Sequence, residues 1–160
     1  MWFDEFDSPV GKLVVAADDS GGICHVLFEQ NRHDAAGRQH WRRDPGALTH
    51  ARAQLLAFLA GERNDFDLPL AAVGTPFQMN VWEALSTIPF AHTRSYADIA
   101  RQVGSPAAVR AVGSANGRNP LPIVVPCHRV IGSNGRLTGF GGGLPAKQFL
   151  LQLEGKCIPA

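Results

Sequence analysis

The sequence predicts an α+β protein: a small N-terminal domain with an antiparallel sheet and a covering helix, then a mainly helical C-terminal domain with a helix-turn-helix. Three observations carry that expectation. Short apolar or alternating runs separated by turn-forming residues open the chain. In the second half, two capped helical patterns follow one another across a glycine-containing turn. Between the halves, apolar periodicity lapses over Asp65 to Gly74 and the charge changes sign. Residues 1–74 carry 7 Lys/Arg against 11 Asp/Glu, a balance of −4, whereas residues 75–160 carry 8 against 3, a balance of +5. The expected domains are therefore 1–74 and 75–160.

In the first domain, Trp2 to Phe6, Lys12 to Ala17 and Ile23 to Phe28 read as strands. Ser8-Pro9-Val10-Gly11 and Asp18-Asp19-Ser20-Gly21-Gly22 between them are turn compositions. Asp44 suits a helix N-cap with Pro45 at the first helical position, and Leu48, Ala51, Leu55, Phe58 and Leu59 recur at helical spacing until Gly61. In the second domain, Thr75 caps, Pro76 follows, and Gln78 completes a capping box ahead of the stripe Phe77, Val81, Trp82 and Leu85. Ser95 starts another helix with Asp98 at the box position, and Gly104 stops it. Ser105-Pro106 is expected to begin the next helix at once. Its residues, Ala107 to Ala115, are small except for valines and one cation, Arg110, so its face can approach another backbone closely, whether in a DNA groove or in the core. A last helix is expected from Pro145.

Composition removes several function classes. With 45% hydrophobic and 18% charged residues, the chain is globular, neither disordered nor a coiled coil. The longest apolar run, Leu55 to Ala60, is far shorter than the ~20 residues of a membrane span. Asp4, Glu5 and Asp7 deny the start of the chain the basic character of a signal peptide, so a cytoplasmic protein with no membrane partner is expected. Cys24, Cys127 and Cys157 are odd in number and widely spaced, which supports neither a disulfide framework nor a zinc cluster. No metal and no cofactor are expected. The basic half is the candidate for contact with a polyanion.

The reactive constellation is at Cys127. It ends a proline-punctuated apolar segment that starts at Asn119-Pro120, and it is followed by His128 and Arg129. A thiolate is the nucleophile, and an adjacent base or positive charge promotes it. Neighbouring side chains point to opposite faces of a strand, so cooperation between Cys127 and His128 needs a turn or a bridging water. The residues alone leave three readings open: an activated cysteine in a group transfer, a Cys-His hydrolase that turns over an acyl thioester, and a helix-turn-helix protein that binds DNA lesions without transfer.

Pro126-Cys127-His128-Arg129-Val130, Arg110-Ala111-Val112-Gly113, Asn119-Pro120, Ser95-Tyr96, Thr138-Gly139-Phe140-Gly141-Gly142-Gly143, and Leu150-Leu151 with Glu154-Gly155 together resemble the O6-alkylguanine-DNA alkyltransferase family. The resemblance covers residues 75–155; in the first half it is confined to strand-rich character and Asp7 to Gly11. It implies DNA repair by irreversible, single-turnover transfer of an alkyl group from O6-alkylguanine to Cys127, with O4-alkylthymine as a further candidate substrate. It assigns His128 as a water-mediated base, Glu154 as the carboxylate that orients it, and Asn119 as a hinge. For DNA it implies minor-groove binding with base flipping, using Arg110 as the finger that fills the vacated stack and Tyr96 against the phosphate, with Ser95, Ala108 and Gly113 nearby. The loop from Ser133 to Gly143 resembles the flap over the alkyl group: Gly141 N–H faces guanine O6, the Val130 carbonyl faces the exocyclic amine, and Phe140 lines the pocket. The implied partner is duplex DNA carrying O6-alkylguanine, bound by a monomer with scope for cooperativity on DNA. Two departures stand out. Pro89-Phe90-Ala91-His92-Thr93 lies where many members have glycine, and the zinc ligands of some members' first domain are missing. Glu154 also falls near the end of a helix, where the dipole disfavours an anion; a buried cationic partner would account for it.

Overall fold

A computed structural model describes residues 1–30 and 34–155; Cys157 lies outside them. Strands β1 (Trp2–Phe6), β2 (Leu13–Ala17) and β3 (Ile23–Phe28) form an antiparallel meander, with Trp2 opposite Ala17 and Leu13 opposite Phe28. β2 is an inner strand and is buried along its whole length, which is why Leu-Val-Val-Ala-Ala shows no polar alternation.

The sheet is not purely antiparallel. A two-residue strand, β4 (Arg42–Arg43), pairs parallel to β1, giving the order β3-β2-β1-β4. It is tied down by charge: Asp4, fully buried, accepts from Arg43 through Oδ1 and from Arg52 through Oδ2, both at 3.3 Å. Asp44 and Pro45 start one turn earlier than an α-helix, as a 3-10 turn (Pro45–Leu48) that runs into α1 (Thr49–Leu59). Leu48, Ala51, Leu55 and Phe58 join Leu13, Val15 and Phe28 in the core, so this helix covers the sheet.

In the second half, the capping boxes Thr75/Gln78 and Ser95/Asp98 open α2 (Pro76–Ser86) and α3 (Tyr96–Gln102). The next helix, α4 (Val109–Gly117), starts later than Ser105-Pro106. Gly104, at φ +79°, ends α3, and a turn follows in which Ala108 N–H donates to the Ser105 carbonyl at 2.9 Å. Proline's fixed φ suits the second position of a turn as well as the first position of a helix, and here the turn wins. Ala108 therefore precedes the helix as its N-cap residue. Two-residue strands β5 (Arg94–Ser95) and β6 (Val130–Ile131) pair in parallel and join the entrance of α3 to the residues after Cys127, and α5 (Leu144–Leu153) closes the fold.

One apolar core runs through both halves. Val26 N–H donates to the Pro120 carbonyl at 2.8 Å, and Phe28 meets Phe140 edge to face at 5.5 Å. A Cβ on Gly142 would lie 2.6 Å from the Phe28 ring, so glycine at that position lets the flap rest on the sheet.

Candidate active site and DNA-facing helix

The segment before Cys127 is folded tightly around one side chain. Asn119 Oδ1 accepts from Leu121 N–H and its Nδ2 donates to the Val125 carbonyl, both at 2.9 Å. The loop it spans holds Ile123 at φ +75°, a conformation that β-branched residues rarely adopt. Cys127 N–H then donates to the Val125 carbonyl at 2.7 Å, and Cys127–Arg129 form a 3-10 turn. That turn, not a strand, lets Cys127 and His128 both point inward, at 3% and 0% exposure.

Glu154, the residue that ends α5, is buried and receives four hydrogen bonds. His128 Nε2 lies 2.6 Å from Oε2, Arg129 Nε donates to Oε1 at 2.8 Å and Nη2 to Oε2 at 3.0 Å, and Ala91 N–H donates to Oε1 at 3.0 Å. Arg129 is the buried cation that offsets the unfavourable end of α5, and its Nη1 donates to the Ile88 carbonyl. Burial pushes the Glu154 carboxyl up, but the hydrogen bonds and charges of His128 and Arg129 outweigh it and hold the group at about 2. Burial lowers the His128 pKa, so the ring is neutral near pH 7, with its proton on the Nε2 that faces the carboxylate. Nδ1 is then a free lone pair, buried and without a partner among the described residues. Burial pushes the Cys127 thiol up to about 11, against the hydrogen bond to Asn119 and the charge of Lys147.

Lys147 is fully buried: its Nζ donates to the Val130 carbonyl at 2.6 Å and to the Thr138 carbonyl at 2.8 Å, clipping the flap to the strand after Cys127. Burial pushes its ammonium down to about 8. The Val130 carbonyl, assigned by resemblance to the exocyclic amine, already accepts this donor. Sequence reading missed Lys147. The available signal was its place in the apolar stripe with Leu150 and Leu151.

Beside α4 is a groove of about 330 Å³ lined by Tyr96, Arg110, Gly113, Thr138, Phe140 and Gly141, among others. The Thr138 hydroxyl donates to Tyr96 Oη at 2.8 Å. Arg110 is exposed, with no ion pair among the described residues. Phe140 both lines the groove and packs on Phe28. Ser95 is occupied as the N-cap of α3, and neither it nor Ala108 lines the groove. Among the described residues no three His, Cys, Asp or Glu side chains gather as metal ligands.

Residues 76–156 match the model of the 6-O-methylguanine DNA methyltransferase DNA binding domain, and residues 3–72 match that of the 6-O-methylguanine DNA methyltransferase ribonuclease-like domain. The chain belongs to the 6-O-methylguanine DNA methyltransferase family. The methylated-DNA--protein-cysteine methyltransferase of Mycobacterium tuberculosis is 51% identical over 96% of this chain and 92% of its own length. The protein of the same name from Methanosarcina acetivorans is 46% identical over 98% of this chain and 100% of its own. Among solved structures, M. tuberculosis OGT in complex with DNA superposes with a TM-score of 0.93 at 48% identity, covering 97% of this chain and 93% of that one. Ala91 adopts φ +66°, the left-handed conformation that glycine favours, and delivers its N–H to Glu154.

Proposed function

We propose that the protein repairs DNA by a single irreversible transfer of the alkyl group of O6-alkylguanine, with O4-alkylthymine as a second substrate, to Cys127. The observation that carries this reading is the buried chain Arg129–Glu154–His128, which ends at a free Nδ1 in the residue next to Cys127. A water passes the thiol proton to Nδ1, and the anionic Glu154 stabilises the imidazolium that forms. The thiolate attacks the alkyl carbon in line. The S–C bond forms, the C–O6 bond breaks with its electron pair going to the base, and the proton ends on the ring nitrogen of a neutral guanine. A thioether has no easy hydrolytic route, so the protein acts once. With the thiol near 11, the resting cysteine is protonated, and its reactivity waits for this relay.

DNA binding follows the same assignment. α4 enters the minor groove, Arg110 fills the stack left by the flipped nucleotide, and Tyr96 crowds the phosphate, with Ser95, Ala108 and Gly113 at the same surface. Extruding the base costs a few kcal/mol of unstacking. Gly141 N–H meets guanine O6, the second lone pair of the Val130 carbonyl meets the exocyclic amine, Phe140 lines the alkyl pocket, and Asn119 couples α4 to the reactive turn. Residues 1–74 form a structural domain and 75–160 the DNA-binding and acceptor domain, in a cytoplasmic monomer. Arg110→Ala tests the assignment: it should be slow on methylated duplex yet close to wild type on free O6-benzylguanine. Cys127→Ser should bind DNA and transfer nothing, because a hydroxyl is a far weaker nucleophile than a thiolate. Parallel loss on duplex and free base in Arg110→Ala, without loss of folding, would remove the arginine from DNA handling.

A further inference from the structure

Thr138 is held from two directions. Its carbonyl accepts from the buried Lys147 Nζ at 2.8 Å, and its hydroxyl donates to Tyr96 Oη at the same distance. The first bond comes from α5 and the second reaches the start of α3, and they meet at the residue before the glycine-rich run that opens at Gly139. Tyr96 Oη has no other hydrogen-bond partner among the described residues, and its ring lies beside α4, where a Cβ on Gly113 would stand 3.9 Å from it. Tyr96, Gly113 and Thr138 all line the groove of about 330 Å³. A phenol oxygen carries one proton and accepts through its lone pairs. With Thr138 donating to a lone pair, the phenolic proton is left for an acceptor in the groove, and the donated bond strengthens the one that this O–H makes.

We infer that Thr138 is a positioning residue for alkyl transfer on DNA: it acts through Tyr96, fixing the phenol so that its O–H is presented to the nucleotide that enters the groove. The inference rests on the alkyl-transfer reading above, in which Tyr96 faces the phosphate. Threonine suits the part. Its β-branch limits rotation about χ1, and the Lys147 bond fixes the carbonyl of the same residue, so the hydroxyl is aimed from a fixed seat at the edge of a glycine-rich loop. Burial pushes the Tyr96 phenol up, the Thr138 bond works against that, and the negative charge of a Cys127 thiolate adds to the rise, so the phenol keeps its proton as the thiolate forms. The bonds made and broken in the transfer are those given above, and Thr138 exchanges no proton.

The test is single-turnover transfer from O6-methylguanine duplex, with protein at saturation so that the rate reports the bound complex. It compares wild type, Thr138→Val, Thr138→Ser, Tyr96→Phe, and Thr138→Val combined with Tyr96→Phe. Valine and phenylalanine keep the shapes of threonine and tyrosine and remove the two hydroxyls. Thr138→Val should be slower than wild type by about three- to tenfold, the worth of one hydrogen bond. Thr138→Ser should recover most of that loss. Tyr96→Phe should be at least as slow as Thr138→Val, and adding Thr138→Val to it should cost nothing further. A Thr138→Val rate equal to wild type would overturn the proposal, as would a faster one, which would make the bond a latch that the substrate has to break. Thr138→Ser as slow as Thr138→Val would also overturn it, and so would a Thr138→Val loss that persists in full beside Tyr96→Phe, because the threonine would then act on the flap alone. Unchanged transfer in Tyr96→Phe would overturn the proposal and leave Cys127 as the acceptor, whereas wild-type protein that transfers nothing would overturn the alkyl-transfer reading and the proposal together.

Discussion

Glu154→Gln probes the clamp behind the thiol. It removes one charge and replaces one oxygen with an amide nitrogen at a point where His128, two nitrogens of Arg129 and the Ala91 N–H all donate. Whichever way the amide turns, its own N–H groups meet donors. Arg129 is 7% exposed, and what remains to it besides the amide is the Ile88 carbonyl and the face of Phe90 at 5.8 Å, so the guanidinium is left buried without a counter-charge. Removing one partner of a buried ion pair costs about 3–5 kcal/mol, a large share of the roughly 5–15 kcal/mol that holds a domain folded. At about 2.1 cal/mol/K of unfolding entropy per residue, a chain of this length loses roughly 3 °C in Tm per kcal/mol, so melting at pH 7 should fall by roughly 9–15 °C. The sign with pH is also fixed. The wild-type carboxyl sits at about 2 against an ordinary 4.5, so its contribution is complete above pH 4.5 and drains as pH falls towards 2. The gap between wild type and variant should therefore narrow over that interval. A Tm loss below about 3 °C at pH 7, or a gap independent of pH, would refute the clamp.

Other outcomes follow from single features. Because burial holds the Cys127 thiol near 11, its labelling by iodoacetamide in the DNA-free protein should rise about tenfold per pH unit from pH 7 to 9; a plateau in that range would contradict a protonated resting thiol. Ala91→Gly removes a left-handed strain of about 1–2 kcal/mol and adds about 0.5–1 kcal/mol of chain entropy. Urea unfolding should show it equal to wild type or up to about 1.5 kcal/mol more stable, and a clear loss would argue against the strain. Affinity for undamaged duplex should fall linearly on a log–log plot as salt rises, and a flat response would exclude phosphate contact by the basic half.

The parts of the fold that were legible in the sequence are those fixed by neighbours. The three strands of the meander, and the capping boxes at Thr75/Gln78 and Ser95/Asp98, are written within a few residues of themselves. What failed depends on distance or on a tie between local preferences. β4 is two exposed arginines with no apolar pattern, and it exists because Arg43 finds Asp4, 39 residues upstream. The start of α4 slipped because Pro106 serves a turn as readily as a helix. In the site, the order Cys127, His128 and Glu154 was readable by resemblance, and the awkward helix-end position of Glu154 pointed to a hidden cation. That Arg129 supplies it across 25 residues was not readable, because the motif presents Arg129 only as a neighbour of the thiol. Lys147 was hidden for a similar reason, since its acceptors are backbone carbonyls, which every residue carries.

Where the alkyl group ends decides the reaction. Wild-type protein mixed with an excess of O6-methylguanine duplex should reach a plateau of one added methyl group per molecule by intact mass, and peptide mapping should place it on Cys127. A methyl on Cys24 or Cys157, or repair of many lesions per protein molecule with the cysteines unmodified, would contradict it.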